Sequence, residues 1–120
     1  MTIIEFSNNK SIYRQIIDYA YLQILTGAWR PGERIPSVRE LTASLGVNAR
    51  TVLKAMDSLQ ASEMIISKRG MGFTLAADAC TKVNAERRRE FFSTTLPAFL
   101  SEMKILGIPA EDIIEAIKNQ

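Results

Sequence analysis

Two short helix-forming segments, each with a capping residue at its start, are separated by a Leu-Gly-Val turn and followed at once by a glycine-tipped basic hairpin. This ordered run from Arg30 to Leu75 constrains the fold more than any other feature of the chain. Ser37 with Glu40 three residues later is a capping box, which predicts a helix starting at Val38. Val38, Leu41 and Leu45 then recur at helical spacing as one buried stripe. Gly46 follows immediately and suits the left-handed end of that helix. Val47 offers an apolar plug, and Asn48 is a favoured N-cap for the next helix. In that second helix Val52, Ala55, Met56 and Leu59 share one face. At about 100° per residue, Arg50 and Lys54 fall opposite, with Thr51 at the edge. Met64–Ser67 and Phe73–Leu75 are rich in β-forming residues, and Lys68-Arg69-Gly70-Met71-Gly72 lies between them, which predicts a hairpin with two glycines free to take positive φ. Two helices across a tight turn, then a hairpin, make a winged helix-turn-helix.

The flanks extend this reading. Residues 11–26 predict a helix in which Ile12, Ile16 and Ala20 with Tyr13, Ile17 and Ile24 line a broad face, stopped by Gly27. The lone Trp29 reads as a core or rim anchor, and Ile35 as part of a short third strand beside the hairpin. After Leu75, Ala76-Ala77-Asp78-Ala79 hands over to a helix expected from about Asp78 to Leu106. Its apolar set is Val83, Phe91, Phe92, Leu96, Phe99, Leu100, Met103 and Leu106. Pro97 should kink that helix because proline removes a donor and crowds the preceding turn. Gly107 should end it, and Pro109 reads as the first residue of a last helix with Ile113, Ile114 and Ile117 on its apolar face. The fold class is therefore mainly α with a small β-hairpin. Residues 1–77 form a winged helix-turn-helix domain and residues 78–120 a short two-helix tail.

Charge says where a partner would sit. The chain has 120 residues and a net charge of only +2. Residues 1–77 hold nine Lys/Arg against six Asp/Glu, a balance of +3, and residues 78–120 hold six against seven, a balance of −1. The excess lies in the half with the second helix and the hairpin, a local footprint for a polyanion. No apolar run approaches the length of a membrane span. The N-terminus lacks the layout of a secretory leader. The single cysteine, Cys80, cannot close an internal disulfide, and these features together point to the cytoplasm.

Enzyme chemistry finds little support. There is no histidine, which removes the commonest general base and metal ligand. Cys80 has no paired partner for a thiolate metal site. No phosphate-cradling glycine loop occurs, since Arg69-Gly70-Met71-Gly72 belongs to a hairpin. Glu111, Asp112 and Glu115 read as negative charge favouring a helix start, Arg87-Arg88-Arg89 as a solvated stripe, and Asp57 as solvated. No cofactor and no metal is expected.

At these residues the chain resembles the GntR family of bacterial transcription regulators. The resemblance is carried by Ser11–Ile16, by Gly27–Leu41, by Leu45-Gly46-Val47-Asn48 with Arg50-Thr51-Val52, and by Arg69–Phe73. The remainder is similar to the YtrA-like subfamily, whose members carry a small helical tail in place of a large effector domain. Ala49 stands where many relatives have Arg or Pro, and Arg50 where many have Asn, so a guanidinium has moved by one residue along the reading helix. The resemblance implies that Arg39 reaches a base or phosphate from the start of its helix. From residue type and position, Arg50 is the candidate base reader, and Thr51 and Lys54 are candidate phosphate contacts. Lys68, Arg69 and Gly70 form a tip for the minor groove, and Ser37 and Asn48 complete the DNA-binding set.

Phe91, Phe92, Leu96, Phe99, Leu100 and Met103 are too much apolar surface for a two-helix tail to hide. A symmetric homodimer is the expected solution; the competing one is a tail folded back onto the first helix of its own chain. The tail has little material to line a deep ligand pocket of roughly several hundred Å³. A small-molecule effector, if one acts, would then bind at a subunit interface. The function expected is a sequence-specific transcription regulator, a repressor of a transporter operon, binding two-fold double-stranded operator DNA. The alternative is a winged-helix module that binds protein instead.

Overall fold

Ser11 starts the first helix: its Oγ accepts a hydrogen bond from the Arg14 N–H at 3.1 Å, and α1 runs Ile12–Leu25. The computed structural model describes residues 10–120, so the leader reading, which rests on the first residues, lies outside them. Ile16, Ile17, Ala20 and Ile24 are buried along α1, whereas Ile12, expected on the same face, is exposed at its first position. Trp29 is buried and meets Tyr19 edge-to-face, with ring centroids 6.3 Å apart.

The capping box at Ser37 forms in full. Ser37 Oγ accepts from the Glu40 N–H at 3.1 Å while Glu40 Oε1 accepts from the Ser37 N–H at 3.2 Å. It opens α2, Val38–Leu45, which ends at Gly46 with φ 68. That positive φ is the conformation for which a side chain would be strained. Asn48 then caps α3, Ala49–Ala61, its side chain accepting from the Arg50 N–H at 2.8 Å. Val52, Ala55, Met56 and Leu59 are almost fully buried. Both α1 and α2 pack on α3, so α3 is the hub of the core, and its opposite face is left outward.

The turn after α3 closes by two bonds, Met64 N–H to the Leu59 carbonyl and Glu63 N–H to the Gln60 carbonyl. This is the six-to-one and five-to-two pattern of a Schellman end, with Glu63 at φ 60 in the left-handed place that glycine prefers. β1, Ile65–Lys68, and β2, Gly72–Leu75, pair antiparallel with Ile65 opposite Leu75 and Lys68 opposite Gly72. The hairpin loop is therefore Arg69-Gly70-Met71, shorter than the five residues expected. Met71 N–H donates to the Lys68 carbonyl at 3.0 Å, and Gly70 and Gly72 take φ 82 and 73. The third strand near Ile35 is only partial. Isolated bridges join Pro31 to Leu75 and Arg34 to Thr74, and Ile35 N–H donates to the Phe73 carbonyl at 3.0 Å. Prolines at 31 and 36, each without an N–H, bracket this segment and keep it from a regular ladder.

The single kinked tail helix is corrected to α4, Ala79–Glu90, one wide turn over Phe91–Thr95, and α5, Leu96–Ile105. In the wide turn the Leu96 N–H reaches back five residues to the Phe91 carbonyl. Pro97 explains the position. Its ring crowds the carbonyl four residues back, at Ser93, and a widened turn makes room without ending the helix. The described chain parts into two compact units after Asn84. Ala79 and Val83 are fully buried in the first unit's core, so the boundary expected at Ala77–Asp78 falls earlier along the chain than this division. Val83, grouped above with the tail's apolar set, belongs to that core.

In the second unit Gly107, at φ 68, ends α5 with a Schellman pair, Ile108 N–H to the Met103 carbonyl and Gly107 N–H to the Lys104 carbonyl. The last helix, α6, is Ala110–Lys118. Pro109 is its N-cap rather than its first residue, because its ψ of 153° is extended.

Candidate nucleic-acid interface

The nine residues expected to meet DNA fall in three places of the first unit: the start of α2, the first two turns of α3 and the hairpin tip. They do different work. The Ser37 and Asn48 side chains are engaged as N-caps. They set where α2 and α3 begin and hold the neighbouring cations at helix starts. Arg39 is exposed in the first turn of α2, and Arg50 in the first turn of α3. Thr51 is half-buried at the edge of α3. Lys68, Arg69 and Gly70 are exposed, with Lys68 in the last strand position and the other two in the turn.

Pairing separates the cations further. Among the described residues Arg39, Arg50, Lys68 and Arg69 have no ion-pair partner. Arg34, by contrast, holds Glu40 Oε1 at 2.8 Å. Glu40 thus serves the capping box and Arg34 at once. Its carboxyl lies below the usual carboxylate value, first through the Ser37 backbone N–H, then through the Ser37 side chain and the Arg34 charge. Lys54 is exposed on the outer face of α3, but its Nζ lies 4.8 Å from the Tyr13 ring centroid. This cation–π contact leans it toward α1. Unpaired cations beside a helix N-terminus, whose free N–H groups carry partial positive charge, make a surface suited to phosphate.

Sequence reasoning missed the Arg34–Glu40 pair and the Lys54–Tyr13 contact. It also missed Leu53, 48% exposed between Val52 and Lys54 on α3. Its helical phase was the available signal, since residue 53 lies off the buried stripe. The Arg87–Arg89 stripe behaves as a solvated helix face, with Arg89 on Glu86 at 2.7 Å and Arg87 on Glu90 at 3.6 Å. Cys80 is free and exposed.

In the second unit no residue of the wide turn, α5 or α6 is buried. Phe91, Leu96, Phe99, Leu100 and Met103 line an open apolar groove of about 510 Å³, closed on its other side by Ile113, Ile114 and Ile117. Phe92 does not line it; it packs edge-to-face on Phe91 with centroids 5.3 Å apart. The tail thus has more concave apolar surface than its length suggests, but as an open groove rather than a deep pocket.

Two helices across a left-handed glycine turn, a hairpin bound to the second helix, and unpaired cations on the outward surfaces define a winged helix-turn-helix of the DNA-binding class. A family model, described as bacterial regulatory proteins of the gntR family, matches residues 12–75. The chain is 30% identical over 119 residues to the HTH-type transcriptional repressor YtrA of Bacillus subtilis, covering 99% of this chain and 91% of that one. It superposes with a TM-score of 0.76 on a GntR family transcriptional regulator from Listeria monocytogenes, at 34% identity, covering 96% of this chain and 99% of the other. It also matches the AraR DNA-binding domain in complex with operator ORR3, with a TM-score of 0.54 at 25% identity over 63% of this chain and 92% of that one. This chain belongs to the GntR family, bacterial transcription regulators with a helix-turn-helix DNA-binding fold. Among the described residues no helix is long and apolar enough to cross a membrane.

Proposed function

We propose that the protein is a dimeric repressor that binds a two-fold operator in the cytoplasm, with α3 of each subunit in the major groove and each hairpin tip at the flanking minor groove. The observation that carries this reading is the set Arg39, Arg50, Lys68 and Arg69, exposed and without ion-pair partners among the described residues on the outward surfaces of a helix-turn-helix. The operator complex of the AraR domain supports DNA as the partner, and the repressor YtrA, similar over nearly the whole chain, supports repression. Arg50 reads a base, Thr51 and Lys54 contact phosphates, and the hairpin enters the minor groove through Gly70, where no side chain stands in the way.

The exposed apolar groove supports a tail-to-tail dimer, in which residues 78–120 act as the dimerisation region and Phe91, Phe92, Leu96, Phe99, Leu100 and Met103 carry the interface. A second copy would cover surface that water otherwise meets, and two half-sites multiply affinity for a palindrome. A small-molecule effector would act at this interface by preferring one arrangement of the two reading helices, shifting operator binding only by its differential affinity. The resemblance to the YtrA-like subfamily supports a transporter operon as target.

The test is selection of sites from random DNA by the full chain, followed by mobility shifts across a salt series. The expected result is a palindromic site and an affinity that falls steeply with salt. Absence of any selected sequence would overturn the reading in favour of a protein-binding module.

A further inference from the structure

The outward face of α3 is not uniformly cationic. Leu53 is 48% exposed there, and Ala49 and Arg50 beside it are exposed as well. On a helix, residues three and four apart are neighbours. Leu53 therefore adjoins Arg50 one turn back and Ala49 four back, and by phase it lies about 40° from Ala49 and about 60° from Arg50. The result is a small apolar surface at the start of the reading helix, next to the one guanidinium there and one residue before Lys54. An exposed leucine on an ordinary surface needs no explanation. This one sits on the flank of α3, about 60° in phase from Met56 of the buried stripe on one side and beside Arg50, a cation with no ion-pair partner among the described residues, on the other.

We propose that Leu53, with Ala49, reads the 5-methyl group of a thymine in the major groove next to the base contacted by Arg50. The chemistry favours thymine because it is the base whose major-groove edge offers a methyl, and apolar side chains recognise it by contact. The neighbouring cations hold phosphates close enough to bring that edge against the helix. This inference rests on α3 being the reading helix. It adds an apolar position to a site otherwise built from cationic and polar groups, so one base step in each half-site is specified by contact rather than by hydrogen bonds.

The experiment uses the full chain and the DNA site it selects from a random pool. Each thymidine in turn is replaced by deoxyuridine, which differs only in lacking the methyl, and affinities are measured for the wild type and Leu53→Ala. One replacement per half-site should weaken the wild type about fourfold, the worth of one buried methyl. The same replacement should leave Leu53→Ala unchanged. Leu53→Gln should move the preference at that position from thymine toward adenine, whose major-groove edge a carboxamide matches. Because Leu53 is exposed, fluorescence of the buried Trp29 should report an unchanged head in both variants. A selected site at which deoxyuridine is tolerated everywhere, or weakens wild type and Leu53→Ala equally, overturns this inference alone. Failure to select any site overturns the reading helix and this inference together.

Discussion

The first unit buries an apolar core and the second does not. From Ile16 to Val83 the chain packs a continuous core in which Val52, Ala55, Met56, Ala79 and Val83 have no exposed surface. From Phe91 onward every large apolar side chain keeps contact with water, to 80% at Ile105 and 63% at Leu106. The two stretches are similarly rich in apolar residues, so composition does not separate them. Geometry does. In the first unit α1, α2 and the hairpin meet around α3, and their buried faces share one core. In the second, α5 and α6 line an open apolar groove. A folded core of the first kind is self-sufficient, whereas a face of the second kind gains stability when another molecule covers it.

The largest effect that sharpens this contrast comes from truncating the hub of the first core. Met56→Ala should destabilise the head by about 2–5 kcal/mol, the usual cost of a large-to-small change at a fully buried site. Trp29 is the chain's single tryptophan and lies in this core, so its fluorescence during urea unfolding reads the effect directly. The same truncation in the tail, Phe99→Ala, should leave the low-concentration Trp29 transition almost unmoved. A comparable loss in both would mean that the tail's apolar face is buried in the monomer and the contrast is false.

Next in size is assembly. Phe99→Asp places a charge in the groove and should abolish dimerisation at micromolar concentration while the head stays folded. Light scattering would show half the wild-type mass. If the wild type is itself a monomer under those conditions, the proposed tail dimer fails outright.

On the DNA side, Arg50→Ala should cost about 1–3 kcal/mol for each half-site of the preferred site and flatten preference at one base position per half-site. Lys54→Ala should weaken binding to all sequences alike and lower the slope of log affinity against log salt by about 1.8, about 0.9 for each subunit's contact. Binding titrations on matched and mismatched duplexes at several salt concentrations separate the two. Uniform loss in both variants would reduce Arg50 to a phosphate contact.

These same two regions differ in how much could be read before folding. The head was legible nearly residue by residue because its signals are local. Ser37 and Glu40 cap within one turn, Gly46 stops a helix where the apolar stripe ends, and Asn48 starts the next. The tail was legible only as apolar and broken. Helical periodicity assumes one pitch, and the wide turn over Phe91–Thr95 adds a residue to it; Pro97 marks the place but not the remedy. The bridges of Pro31 and Arg34 to the hairpin were half visible, since backbone pairing leaves little side-chain signature. For the candidate site, position could be read and engagement could not. The sequence shows Arg34, Arg39 and Arg50 alike as cations near helix starts. Only packing shows Arg34 held by Glu40, Lys54 drawn toward Tyr13, and Leu53 left half-exposed.

The smallest expected effect tests that engagement at Glu40. Its carboxylate accepts from the Ser37 N–H and faces Arg34, and these partners lower its pKa from the ordinary 4.5. A carboxyl whose folded pKa is depressed stabilises the fold above its unfolded value and loses that contribution as pH falls through the folded one. Glu40→Gln keeps the shape of the side chain but removes the charge. The stability difference between wild type and Glu40→Gln should therefore be constant near neutral pH and shrink once the pH drops below the ordinary carboxylate value. Urea midpoints read by Trp29 fluorescence at pH 7 and at steps toward pH 3 give that difference directly, and other carboxylates cancel in the subtraction. A gap that stays constant across the whole range would mean that the Glu40 charge adds nothing to the cap of α2. The cap of α2 would then rest on the Ser37 side chain, which accepts from the backbone N–H of residue 40 whatever the charge there.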